Sequence, residues 1–239
     1  MSESAAGDDA AGDDAVVVGL PDGGALDERV AVRRYLRLLV AVVALFVVQA
    51  AFPAGDVARL LEVLVAGAAL VMAAQLEGHR ERSRRIAVVV VAVSLALGGA
   101  TLVFGGDGDS GGGFLLVNGL LVAAGPVLVF RAIRRHPTVS LSTMLGAVTV
   151  YVLVGLFFAM VYRSVLLFDP AAFVSANSGL DPAAMQYFSF VTLTTVGFGD
   201  ITAVTSIART LVALEALLGQ IYLVTVVALV VGNLGRRRA

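Results

Sequence analysis

The chain has 239 residues, of which 59% are hydrophobic and 15% charged, with a formal net charge of -1. That is too apolar for an ordinary soluble domain. The absence of cysteine excludes disulfides, thiol nucleophiles and cysteine-bound metals, and the two histidines, His79 and His136, both lie in charged linkers, which leaves a histidine-based catalytic or metal site without support.

Residues 1–28 are dominated by Ala, Gly, Asp and Glu and hold eight of the eighteen acids. Such a stretch has little to bury and reads as a disordered acidic tail. It lacks the positive start of a secretory signal. Six apolar segments follow: Leu38 to Ala54, Val57 to Gln75, Ile86 to Phe104, Phe114 to Phe130, Leu141 to Tyr162 and Ile207 to Gly232. A bilayer core needs about 20 apolar residues per helix, so each segment, with its flanks, is long enough to span. Period-two alternation is missing and Ala and Leu abound, which argues against strands.

The linkers set the orientation. Arg29, Arg33, Arg34 and Arg37 precede the first segment, and Arg80, Arg82, Arg84 and Arg85 follow the second. Arg131, Arg134 and Arg135 follow the fourth, and Arg236, Arg237 and Arg238 end the chain. Fourteen of seventeen arginines thus fall on one side, which by the positive-inside rule is the cytoplasm, with both termini there. The opposite loops carry Asp56, Asp107, Asp109, Asp169, Asp181 and Asp200. A cell-membrane protein with six spans satisfies this pattern.

The fourth segment contains no arginine from Phe114 to Phe130, so it lacks the ladder of a voltage sensor. Asn118 and Pro126 in it suit an irregular packing helix.

Between the fifth and sixth segments, Pro182 to Thr194 forms a short, partly apolar run with Asp181 placed to cap it. A helix of that length reaches only about 20 Å, too short to cross. Gly197, Gly199 and Asp200 then break any helix. Non-helical backbone at membrane depth is tolerated where it is buried in protein or lines a water-filled path, so this stretch reads as a re-entrant pore loop.

Thr195-Val196-Gly197-Phe198-Gly199 has the makings of a cation filter. A dehydrating potassium ion needs close oxygens, and backbone carbonyls supply them if successive peptide units face one axis. Alternate glycines permit the required angles. Thr195 adds a hydroxyl, while Val196 and Phe198 can point away and wedge the loop. A dinucleotide-binding reading of Gly197-Phe198-Gly199 fails for want of a third glycine and a preceding strand.

With its filter run Thr194-Thr195-Val196-Gly197-Phe198-Gly199-Asp200 between two spanning segments, the chain resembles the tetrameric potassium channels with a helix–pore loop–helix core, over roughly residues 138 to 235. Tyr187 and Phe188 fall where that family keeps an aromatic pair, and Gly219 where it often places a hinge glycine. The resemblance implies that Thr195, Val196, Gly197 and Phe198 coordinate potassium, that Thr194, Gly199, Tyr187 and Phe188 support them, and that Asp200 closes the outer mouth. Phe198 replaces the commoner Tyr, and Val191 stands where some relatives carry a Glu that binds the filter Asp. Both changes imply a less braced filter, and gating or inactivation there.

Glu215, one turn before Gly219, is the sharpest ionisable residue outside the filter. It reads equally as a tuner of cavity potential or filter brace, or as a protonated or hydrogen-bonded packing residue meeting Thr192 or Ser189. Glu62 is expected to reach the membrane interface. Gly219 is a hinge or a close-packing site, Gly146 and Gly155 are packing glycines, and Gly232 marks a helix end.

The expected fold is therefore an all-α membrane protein: a tail (1–28), a four-helix bundle (29–137) and a pore domain (138–239) with a re-entrant helix and filter loop. Four copies would close a homotetrameric pore in lipid. The function is passive potassium conduction, not strongly voltage-gated, with no cofactor beyond the permeant ions, no nucleic acid, and a separate regulatory partner left open. The short stretch after the sixth segment is expected to leave no room for a C-terminal regulatory domain. A four-repeat potassium-uptake transporter is disfavoured by the single repeat. A weakly selective cation channel and a non-conducting membrane subunit serving as an interaction platform remain as alternatives. An enzyme is the weakest reading.

Overall fold

The computed structural model describes residues 23–51, 56–76, 140–176 and 179–236, with isolated positions between 85 and 131. Residues 1–22, most of the third and fourth apolar segments, His79 and His136 lie outside the described residues. The described chain is mostly helical: α1 (Gly23–Ala51), α2 (Asp56–Ala74), α3 (Leu141–Phe168), α4 (Pro182–Leu193) and α5 (Ser206–Arg236). Two of these, α3 over Leu141–Phe168 and α5 over Ser206–Val226, are long and apolar enough to cross a membrane.

Helix α1 starts within the stretch read as a disordered tail, at Gly23. Ala25 and Leu26 are good helix formers, which suits the extension.

Two short strands correct the all-α expectation. β1 (Phe173–Ser175) and β2 (Ile201–Ala203) pair antiparallel, with Phe173 opposite Ala203 and Ser175 opposite Ile201. Three residues are too few to show an alternating pattern, so neither strand leaves a signal in sequence. The sheet lies between α3 and α5 in the chain and brackets α4.

The first core is a seam. Tyr35, Leu38, Val42 and Leu45 recur at helical spacing on α1 and are buried against Ala66, Ala69 and Ala73 of α2 and Val150, Leu153 and Leu156 of α3. The alanines let the α2 backbone come close. A second core gathers Phe158 and Tyr162 of α3, Phe173 of β1, Met185 and Phe188 of α4, Ile201 of β2 and Ala208 of α5. The second core holds α4 in place between the two long helices.

Glu62 meets a partner on another helix. It is buried on α2 and pairs with Arg163 of α3 at 3.6 Å. An unpaired carboxylate in apolar surroundings is costly, and the arginine offsets that cost.

Candidate functional site

Helix α4 begins at a well-made cap. Asp181 accepts a hydrogen bond from the Ala184 amide at 2.7 Å, and Pro182 fills the first helical position, where its missing N–H costs nothing. Its first ring, Tyr187, is exposed. Its second, Phe188, turns the opposite way into a cluster with Tyr162 and Phe173, at centroid distances of 5.3 and 5.5 Å. Offset and edge-on rings of this kind favour one fixed geometry.

The other end of α4 is fully engaged. The last four carbonyls of a helix lack internal partners. Here Phe190 O accepts from the Thr194 amide at 3.0 Å and from its hydroxyl at 2.6 Å. Val191 O accepts from Val196 N at 3.0 Å, and Thr192 O from Thr195 N at 2.9 Å. Leu193 O accepts from the Tyr151 hydroxyl of α3 at 3.1 Å. The chain leaving α4 is thus folded back onto the helix end.

Beyond Thr194 every second residue takes a positive φ: Thr195 at 59°, Gly197 at 60° and Gly199 at 79°. Val196 and Phe198 between them do not. Glycine adopts this region freely, whereas Thr195 adopts it at a cost of about 1–2 kcal/mol. Alternation of handedness rotates successive peptide planes in opposing senses, which is how carbonyls on consecutive residues come to face one side. Val196 and Phe198 are exposed in the single chain, by 55% and 69%. Phe198 stacks on Tyr187, with ring centroids 6.4 Å apart and planes 1° from parallel. The Tyr187 hydroxyl lies near enough to Asp200 to feel its carboxylate. Asp200 O in turn accepts from Ala176 N at 2.9 Å. The mouth of the loop is therefore tied by its backbone to the residue that follows β1.

Glu215 and Gly219, one turn apart on α5, both face α4. Glu215 is fully buried and meets the Ser189 hydroxyl at 2.5 Å and the Tyr162 hydroxyl at 2.5 Å. It therefore faces protein. A Cβ at Gly219 would overlap the Leu193 carbonyl, so this glycine is required for close approach. At Gly155 of α3 a Cβ would meet the end of the Phe190 ring, a side chain that would have to shift. Gly232 falls among residues whose side-chain surroundings are not described.

The contact between α1 and α4 has no counterpart in the sequence reading. Gln186, buried on α4, donates to Phe46 O at 2.9 Å, and Phe46 meets Phe190 edge-on at 4.9 Å. A buried glutamine in a short apolar helix is the one signal that could have raised the question. Among the described residues no group of three or more His, Cys, Asp or Glu side chains could hold a metal ion.

Residues 144–235, less than half of the chain, match the family model described as "Ion channel". The match spans most of α3, all of α4 and nearly all of α5. No curated protein and no solved structure matches the chain. The family match and the two apolar helices support an ion channel of the membrane, a transport protein rather than an enzyme.

Proposed function

We propose that the chain is one subunit of a potassium-selective channel, in which Thr195, Val196, Gly197 and Phe198 offer backbone carbonyls to dehydrated potassium. The observation that carries this reading is the alternation of positive φ at Thr195, Gly197 and Gly199, directly after a short capped helix. A row of carbonyls at one axis replaces the ion's water shell, and ions in adjacent sites displace one another. Thr194, Gly199, Asp200, Tyr187 and Phe188 hold the row in shape, with α4 as the pore helix.

One chain supplies one filter strand, so four copies are needed to surround an axis. Helix α5 leaves Leu214, Leu217, Leu218, Ile221 and Val224 exposed, an apolar face suited to other copies and lipid. The arginine distribution favours both termini in the cytoplasm and the Asp200 end of the loop outside. Six spans in all, with the first four as a peripheral bundle, fit the same charge pattern.

The test is potassium flux into liposomes holding the purified protein, with a sodium gradient, barium and a Gly197→Asp variant alongside. Barium-sensitive potassium flux that exceeds sodium and is lost in the variant is the expected result. Equal sodium and potassium flux would sink the selectivity and leave a cation channel. Absence of flux from a folded oligomer across a range of stimuli would favour a non-conducting subunit.

A further inference from the structure

Ser189 Oγ lies 2.7 Å from the Gly155 carbonyl oxygen and 2.5 Å from Glu215 Oε1. A hydroxyl has one hydrogen to give. Both contacts are too short for a hydrogen shared between two acceptors. Gly155 O can only accept. Ser189 therefore donates to Gly155 O and must accept at its other contact, and the hydrogen in that contact has to come from Glu215. On the opposite side Tyr162 donates to Glu215 Oε2. With a neutral carboxylic acid, three hydrogens fill three contacts. With a carboxylate, two hydrogens face three contacts and a buried charge lies among apolar side chains.

Among the described residues, no cationic side chain offsets such a charge. Helix α4 has no charged residue from Pro182 to Leu193. From α3 the facing ionisable group is Tyr162, with Tyr151 further along, bonded to Leu193 O. Arg163, adjacent to Tyr162, engages Glu62 of α2. On α5 itself, Arg209 is exposed and donates to Ala203 O, and Tyr222 donates to Ala147 O. Among the described residues, no arginine pairs with Glu215.

We propose that Glu215 is a proton-binding site, and that its proton fastens α4 to α3 and α5 immediately behind the loop that follows. Losing that proton forces Ser189 to choose between Gly155 O and the carboxylate, and one of the two ties on α4 opens. Ser189 lies one turn before Leu193, whose carbonyl abuts Gly219, so the opened tie bears on the end of α4 from which the loop departs. The ligand is a proton, and its effect on conduction rests on the channel reading above.

The decisive measurement is infrared spectroscopy of the purified protein in liposomes as pH is raised. The proposal expects a protonated-carboxyl carbonyl band at neutral pH that shifts in heavy water and is absent in Glu215→Gln. Glutamine donates to Ser189 and accepts from Tyr162, so this variant keeps all three contacts and the fold. The band should disappear at alkaline pH. Tyr162→Phe should retain it, because the hydrogen between Glu215 and Ser189 does not come from Tyr162.

In parallel, wild-type potassium flux should fall about tenfold across the same pH step while Glu215→Gln stays flat. No band at neutral pH that depends on Glu215 would overturn the site. A band that titrates while wild-type flux stays constant would overturn its effect on conduction. The infrared arm does not require that the protein conduct, so failure of the channel reading would be seen separately.

Discussion

The side-chain amide of Gln186 donates to the backbone carbonyl of Phe46 at 2.9 Å, so the helix that carries the loop is held by the first helix of the chain as well as by its sequence neighbours. The other end of that amide, Gln186 Oε1, is buried with no partner among the described residues. A bond and an unsatisfied oxygen thus offset one another. Gln186→Leu should change stability by less than about 1 kcal/mol, as read by thermal unfolding in detergent. Because it removes one of two ties to α1 and leaves the contact of Phe46 with Phe190, flux in the variant should become less sensitive to changes made in α1. A large destabilisation would mean that the oxygen has a partner.

Gly219 and Leu193 give a second expectation. The atom that a Cβ at Gly219 would meet is a backbone carbonyl, which cannot rotate aside. Gly219→Ala should cost on the order of 1–3 kcal/mol, the usual cost of overpacking, and should shift α4. A hinge glycine with free space around it would accept alanine with a small change. Unfolding midpoints of Gly219→Ala and, as a control, an alanine substitution at exposed Leu217 separate the two roles.

At Gly197 the space is open and the strain lies in the backbone alone. No atom lies within 4 Å of the point where a Cβ would stand, but φ is +60°. Gly197→Ala should fold and assemble with a penalty of roughly 1–2 kcal/mol, and should lose potassium flux. Size-exclusion profiles and liposome flux read the two halves of this expectation.

Arg163 and Glu62 test how α2 is joined to α3. Removing one member of a buried pair takes away compensation for the other charge, at up to about 3–5 kcal/mol. Arg163→Met alone should be severely destabilised. Arg163→Met with Glu62→Gln should recover most of the loss, since no charge then remains buried. Thermal unfolding of both variants and of Glu62→Gln alone completes the cycle.

Tyr187→Phe should leave the stack with Phe198 and remove the hydroxyl that lies near Asp200. Potassium flux should start normally and decay faster during sustained opening. An unchanged decay would mean that Asp200 is held by its backbone bond to Ala176 alone.

What is legible in the sequence is local. The cap at Asp181, the short helix after it and the glycine alternation at 197 and 199 are set by residues within a few positions of each other. Glu215 stands out because a carboxyl is expensive in an apolar helix, yet its direction depends on Ser189 and Tyr162, which belong to other helices. Glu62 reads as an interface residue because nothing in its own segment reveals that Arg163 reaches it. The contact between Phe46 and Gln186 joins residues 140 positions apart, and a glutamine in a short apolar helix does not say which helix it meets. Three-residue strands fall below any periodic signal.

Those strands bear on how the loop can move. Val204 N donates to Ala172 O at 2.8 Å and Ala176 N to Asp200 O at 2.9 Å, one at each end of the pairing of β1 with β2. Asp200 is therefore the first link of a zipper. Any outward excursion of the loop's far end must open that zipper from Asp200 onward, so excursions will be discrete rather than graded. Their frequency is then written in the rate at which the Ala176 amide exchanges its hydrogen with water.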